Sequence, residues 1–182
     1  MNRFGRTGAL AATLAAVALG LGVAGCGSER ESEVVEGEPI ELGDLRLNVQ
    51  LTRFLNPSDR EDAEYLEGLP QPAPGKAYLG VFIEAENEGD DDVTLPTAEQ
   101  MKVIDTTDQE YEPVESDSVF AFDFGETIPP GEAIPLPDTA AASGPIQGQV
   151  ALFLVDQGVS ENRPLELELS AAGQDGIIEL DI

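Results

Sequence analysis

From residue 40 onward, apolar side chains recur at every second position, and that period restricts the chain to strands. A strand turns successive side chains to opposite faces, so such a pattern buries one face and wets the other. Leu45, Leu47, Val49 and Leu51 alternate with Arg46, Asn48 and Gln50. Leu79, Val81, Ile83 and Ala85 repeat the pattern, with Tyr78 and Phe82 on the other side. Phe120, Phe122 and Phe124 read the same way, as do Val150, Leu152 and Leu154 with Phe153 opposite, then Leu165, Leu167 and Leu169 between glutamates, and Ile178, Leu180 and Ile182. Residues 101–105 and 111–114 form a shorter pair around a turn at 106–109. Turn residues separate the runs: Gly43 and Asp44, Gly89 and Asp90, Pro129 with Pro130 and Gly131, and Gly173 to Gly176. No helical period outlasts two turns after residue 40. The expectation is an all-β fold, an antiparallel β-sandwich of about 7–8 strands, with a small closed barrel as the alternative.

One connection breaks this rhythm. Residues 56–75 carry Asp59, Glu61, Asp62, Glu64 and Glu67, then Pro70, Pro72 and Pro74. Connections of this length in a compact domain are commonly functional or mobile. Residues 61–66 are expected to form a helical turn with Tyr65 and Leu66 packing back, and the alternate prolines an extended return. Tyr65 and Leu66, together with Phe120, Phe122 and Phe124, are the candidate partner-contact residues; for the three phenylalanines, a place in the core is the competing expectation.

The N-terminus has a different composition. Arg3 and Arg6 precede an uncharged Ala-, Leu-, Val- and Gly-rich run over residues 7–23. A basic start followed by a short apolar stretch has the layout of a secretory signal peptide, and the run is marginal for spanning a bilayer. Leu21, Val23, Ala24, Gly25 and Cys26 resemble a bacterial lipobox. Small residues before the cleavage point suit a narrow peptidase cleft, and the single cysteine would take a thioether-linked diacylglycerol. Its two acyl chains are about what stable anchoring requires. The expected organisation is a signal peptide over 1–25, a flexible tether over 26–38 rich in Ser and Glu, and the sandwich over 39–182. The expected location is the outer side of the cell membrane.

Charge excludes much chemistry. Nine Lys and Arg stand against 36 Asp and Glu, a net charge of -27, so there is no basic face to displace counterions from nucleic acid. With no His and one Cys, the common zinc sites, a Ser-His-Asp triad and an internal disulfide are all excluded. Carboxylates are abundant, but Trp is absent, and sugar clefts usually offer aromatic platforms. No catalytic residues and no cofactor are expected. Ca2+ is the one cofactor kept open, because hard cations take clustered oxygen ligands. Asp90, Asp91 and Asp92, and Asp105 with Asp108, are the candidate ligands, against the plainer reading of a solvated acidic rim.

Three stretches resemble a known family. Residues 80–90 look like a strand closing on Asn87 and a Gly-Asp turn. Residues 103–113 are similar to its hairpin, although Thr107, Asp108 and Gln109 stand where a glycine is usual. Residues 128–132 resemble its Pro-Gly turn before a late strand. The family is the telokin-like, immunoglobulin-like domain of unknown function found in Gram-positive surface lipoproteins. The resemblance covers about residues 38–170. It implies an immunoglobulin-like sandwich outside the cytoplasmic membrane and supplies no catalytic residues. The function expected is non-covalent engagement of a protein or envelope partner by a lipid-anchored module. The alternatives are a Ca2+-binding surface lipoprotein and an accessory solute-binding lipoprotein of a transporter.

Overall fold

The computed structural model describes residues 32–182. The strands are β1 (Ser32–Val35), β2 (Ile40–Leu42), β3 (Leu45–Leu55), β4 (Lys76–Asn87), β5 (Val93–Thr94), β6 (Met101–Ile104), β7 (Glu110–Tyr111), β8 (Pro113–Val114), β9 (Thr127–Ile128), β10 (Ala133–Ile134), β11 (Gln149–Asp156), β12 (Leu165–Ala171) and β13 (Gln174–Leu180). Two short helices are α1 (Arg60–Tyr65) and α2 (Ala140–Ser143). One sheet runs β1-β13-β12-β6-β7; the facing sheet runs β2-β3-β4-β11-β8, with β10 also on β4. β5 and β9 form a separate ribbon. This is an immunoglobulin-like antiparallel β-sandwich; among the described residues, its one parallel strand pair is β1 with β13. The strands beyond the expected number are mostly two-residue pieces such as β5, β7 and β8.

The core between the sheets is built by the alternation. Leu45, Leu47 and Val49 of β3 meet Leu79, Val81 and Ile83 of β4, and across the gap Val103, Leu165, Leu167 and Ile178. On β12 the intervening Glu166 and Glu168 stay partly solvated. Lys102 bridges Glu110 and Glu168, and those two hydrogen bonds raise its pKa.

The second sheet differs, because part of its outer face is buried as well. Ala151, Phe153 and Val155 of β11 point into the main core, while Val150 and Leu152 enter a second cluster with Leu55, Tyr78 and Phe82 on the outer face. Phe153 is thus a main-core residue and Val150 and Leu152 are not, the reverse of the reading that pointed 150, 152 and 154 inward. Strands buried on both faces read as nearly continuous apolar runs, as β4 and β11 do. Gly80 lies where Leu55 and Val150 close over β4; a Cβ there would sit 3.0 Å from Leu55 Cδ1.

Leu51 is also on the unexpected face. The register of β3 against β4 shifts between Val49 and Leu51, so Gln50 is the extra residue of a β-bulge. A one-residue slip turns every later side chain over. Phe54 therefore packs on the main core, and Leu51 and Leu55 on the outer cluster. Glu36 closes the bulge: its carboxylate accepts from Thr52 N at 3.0 Å in one sheet and from Asp181 N at 3.1 Å beyond β13 in the other. Gly37 N donates to Val49 O.

Two expectations are corrected. Residues 32–35 do not belong to a tether: β1 pairs in parallel with β13, from Ser32 opposite Gly176 to Val35 opposite Glu179. Residues 120–124 are not a strand but turns with one bridge, Ala121 to Val150. Their alternation has another cause, since Phe120 serves the outer cluster while Phe122 and Phe124 serve the main core.

Candidate functional site

The sandwich has two poles. At one, Asn87 ends β4 with 0% exposure. Its Nδ2 donates to Asp91 O and to Ile128 O, both at 2.8 Å, and its Oδ1 accepts from Gly89 N at 2.9 Å. Its backbone N donates to Glu132 O, and Gly131 N donates to its carbonyl. One amide therefore ties the β4 exit, the 89–91 turn, β9 and the turn before β10. In that last turn Glu132 N reaches Pro129 O, and Gly131 holds φ at 71°, the conformation a type II turn asks of its third residue. The sequence pointed to Asn87 as a strand exit; its reach to Ile128, 41 residues on, needed the fold.

Asp90, Asp91 and Asp92 lie exposed on this pole. Asp105 is elsewhere, 4% exposed at the end of β6. Its Oδ1 accepts from Thr107 N, Thr107 Oγ1 and Gln109 N, and its Oδ2 from Asn162 Nδ2. Burial pushes this carboxyl up, but the donors outweigh it and hold the pKa at about 2 against an ordinary 3.8. Asp105 thus organises the β6–β7 turn, and Asp108, at φ 62°, takes the left-handed conformation that favours glycine. Both Asp105 oxygens therefore already accept hydrogen bonds from its own turn and from Asn162. Among the described residues, no three acidic side chains group closely enough to hold a metal ion.

The candidate contact residues are placed inward. Asp59 caps α1 by accepting from Glu61 N at 2.9 Å. Asp62 is buried and takes both Arg53 Nη2 and Asn56 N, which clamps α1 to β3. Tyr65 then lies edge-on to Phe82 at 5.1 Å and against Phe120 at 4.9 Å. Burial, with Asp62, Glu64 and Glu61 adding and Arg53 opposing, raises the Tyr65 pKa. Tyr65 and Leu66 are 5% and 6% exposed, Phe122 is buried, and Phe120 and Phe124 are half-buried. Tyr65, Leu66 and Phe122 are thus covered by their own chain, while Phe120 and Phe124 keep part of their surface. Ser118 Oγ donates to Glu64 O and Tyr78 OH to Pro70 O, so residues 56–75 form a third layer over the sheet. Cys26 and Leu21, Val23, Ala24 and Gly25 lie outside the described residues.

The remaining surface carries open clefts of mixed polar and apolar lining. A cleft of 270 Å³ is lined by Arg46, Asn48, Glu84, Ile134 and Pro135, and one of 440 Å³ by Val35, Glu36, Arg163 and Ile182. Among the described residues, the large apolar side chains left exposed are Val35, Val119 and Leu136. No described helix is long and apolar enough to cross a membrane.

No family model matches the chain, and no curated protein sequence matches it. Its fold has solved counterparts. It is similar to an uncharacterized β-sandwich protein from Clostridium difficile, with TM-score 0.50 and 16% identity over 84% of this chain and 96% of that one. It is similar to the secreted protein MPT63 of Mycobacterium tuberculosis, with TM-score 0.52 and 15% identity over 84% and 99%. It also resembles YcdA, a candidate lipoprotein of Bacillus subtilis, with TM-score 0.52 and 12% identity over 80% of this chain and 38% of that one. At these identities the likeness defines the β-sandwich class.

Proposed function

We propose that the protein is a lipid-anchored module on the outer side of the cell membrane, of the telokin-like type found in Gram-positive surface lipoproteins, that engages a protein or envelope partner non-covalently and catalyses nothing. The observation that carries this is the spacing at the N-terminus: the lipobox-like run ending in Cys26 stands six positions before Ser32, where the sandwich begins. A leader, a lipidated cysteine and a domain follow one another with little between. The open clefts and the burial of Tyr65, Leu66 and Phe122 are consistent with a binding body without a reaction chamber. So is the fold it shares with a secreted protein and a candidate lipoprotein.

Fractionation of the host cell tests the reading. Wild-type protein should sediment with membranes and incorporate a labelled fatty acid. Cys26→Ala should lose the label and enter the soluble fraction. Unchanged membrane retention of that variant would overturn the anchor, and turnover of a small molecule abolished by neutralising one carboxylate would overturn the non-catalytic role.

A further inference from the structure

We infer that the anchored domain stands in one orientation, with the pole bearing the turns at 43–44, 88–92 and 172–175 toward the lipid surface and the α1 pole outward. This rests on the lipid-anchor reading of Cys26. The argument starts from β1. Its first residue, Ser32, pairs with Gly176, two positions from the β13 start, and β1 runs parallel to β13 away from that pole. The β2–β3 turn lies beside the β12–β13 turn, since a Cβ on Gly43 would be 3.0 Å from Ala172 Cβ. Glu88 N donates to Asp44 O, which brings the β4 exit to the same end. Leu55 opposite Tyr78, Lys76 opposite Asp156 and Leu165 opposite Leu180 mark the other end.

Length decides between the poles. Residues 27–31 are all that separates Cys26 from Ser32. Fully extended, that span reaches about 20 Å. β3, with 11 residues, runs nearly the whole height of the sandwich, about 35 Å. Inverting the domain would lift Ser32 by most of that height, beyond what the span can reach. Had the chain been free to Glu38, as the composition of 27–38 suggests, both orientations would be open; the pairing of β1 removes one.

Charge sets the distance. The lipid-facing pole carries Asp44, Glu88, Asp90, Asp91, Asp92 and Asp175, with Arg46 near Glu86 and Glu88. An anionic leaflet repels such a pole over a Debye length of about 8 Å. Over an anionic leaflet such a pole is held off across a water layer, and the outward pole, with α1 and the β6–β7 turn, is what an envelope partner meets first.

The test uses the full lipidated protein in liposomes holding anionic and nitroxide-labelled lipids. Lipidation blocks the Cys26 thiol, so one introduced cysteine carries a fluorophore: Ala172→Cys at the near pole or Ala63→Cys on α1, both exposed positions. Quenching by the lipid nitroxide should be several-fold stronger at 172 than at 63. Inserting a Gly-Ser linker of about 20 residues after Gly27, with an extended reach of about 65 Å, should erase most of that difference. Equal or reversed quenching without the linker overturns the orientation. Flotation with Cys26→Ala separates the two ideas. If that variant no longer floats while 172 and 63 are quenched alike, the anchor stands and the orientation is wrong. If it floats as well as wild type, the anchor itself is wrong.

Discussion

Replacing Asn87 tests whether one buried amide holds a pole of the sandwich together. Asn87→Ala deletes three side-chain hydrogen bonds. A typical net value is about 1 kcal/mol each. Ile128 O, in the buried bond, is left without a donor, whereas Asp91 lies exposed on the surface and its carbonyl can recover water. The expected loss is about 3 kcal/mol. Asn87→Asp is the sharper probe, because it keeps shape and volume. One oxygen can still accept from Gly89 N, but the other now faces the carbonyls of Asp91 and Ile128 with no proton between them. At pH 7 the Asp variant should be at least as unstable as the Ala variant, since a buried carboxylate is set against two acceptors. Burial raises the folded-state pKa of such a carboxyl above its unfolded value. The folded state then binds the extra proton, so stability falls as pH rises and the Asp variant recovers relative to Ala toward pH 4. Urea unfolding of leaderless Cys26→Ser protein at both pH values reads all of this. A cost below about 1 kcal/mol for Asn87→Ala, or wild-type stability for Asn87→Asp at pH 7, would refute the staple.

Two further perturbations address the other pole and the third layer. The Asp105 pKa is depressed to about 2 in the folded protein, so its contribution is present above the unfolded value and lost as pH falls through about 2. Asp105→Ala should cost about 2 kcal/mol at pH 7, and its deficit against wild type should shrink between pH 4 and pH 2 in acid-unfolding curves. Asp62→Ala removes the clamp from Arg53 and Asn56. Breaking this partly exposed pair should cost about 2 kcal/mol, and limited proteolysis should show faster cleavage within residues 56–75; an unchanged cleavage rate would mean that the aromatic contacts alone hold α1.

Much of the architecture was legible because it rests on local period. β4 and β12 declare themselves by alternation, and the β6–β7 hairpin by its turn. What failed to show depends on partners far along the chain. Val34 and Val35 are too short a run to announce a strand, and β1 exists because β13 lies about 140 positions on to receive it. Leu51 fits the alternation of β3 perfectly and still faces the other way, because the bulge at Gln50 is stabilised by Glu36, a residue whose neighbourhood reads as polar tether. The outer cluster was half visible: Tyr65 and Leu66 pack back as their place in the acidic loop suggests, but their partners Phe82 and Phe120 lie far along the chain. At the proposed anchor the legibility is reversed, since Cys26 is read from its neighbours in sequence and lies outside the described structure.

The parallel pairing of β1 with β13 also bears on how an exported chain matures. Such a chain emerges N-terminus first, so its opening strand must wait, without a ladder partner, until nearly all the rest has crossed. Until β13 arrives, residues 32–35 have no ladder to join; once β13 zips alongside, they are held from Ser32 to Val35. Completion of the fold and the docking of its first strand are therefore one and the same event.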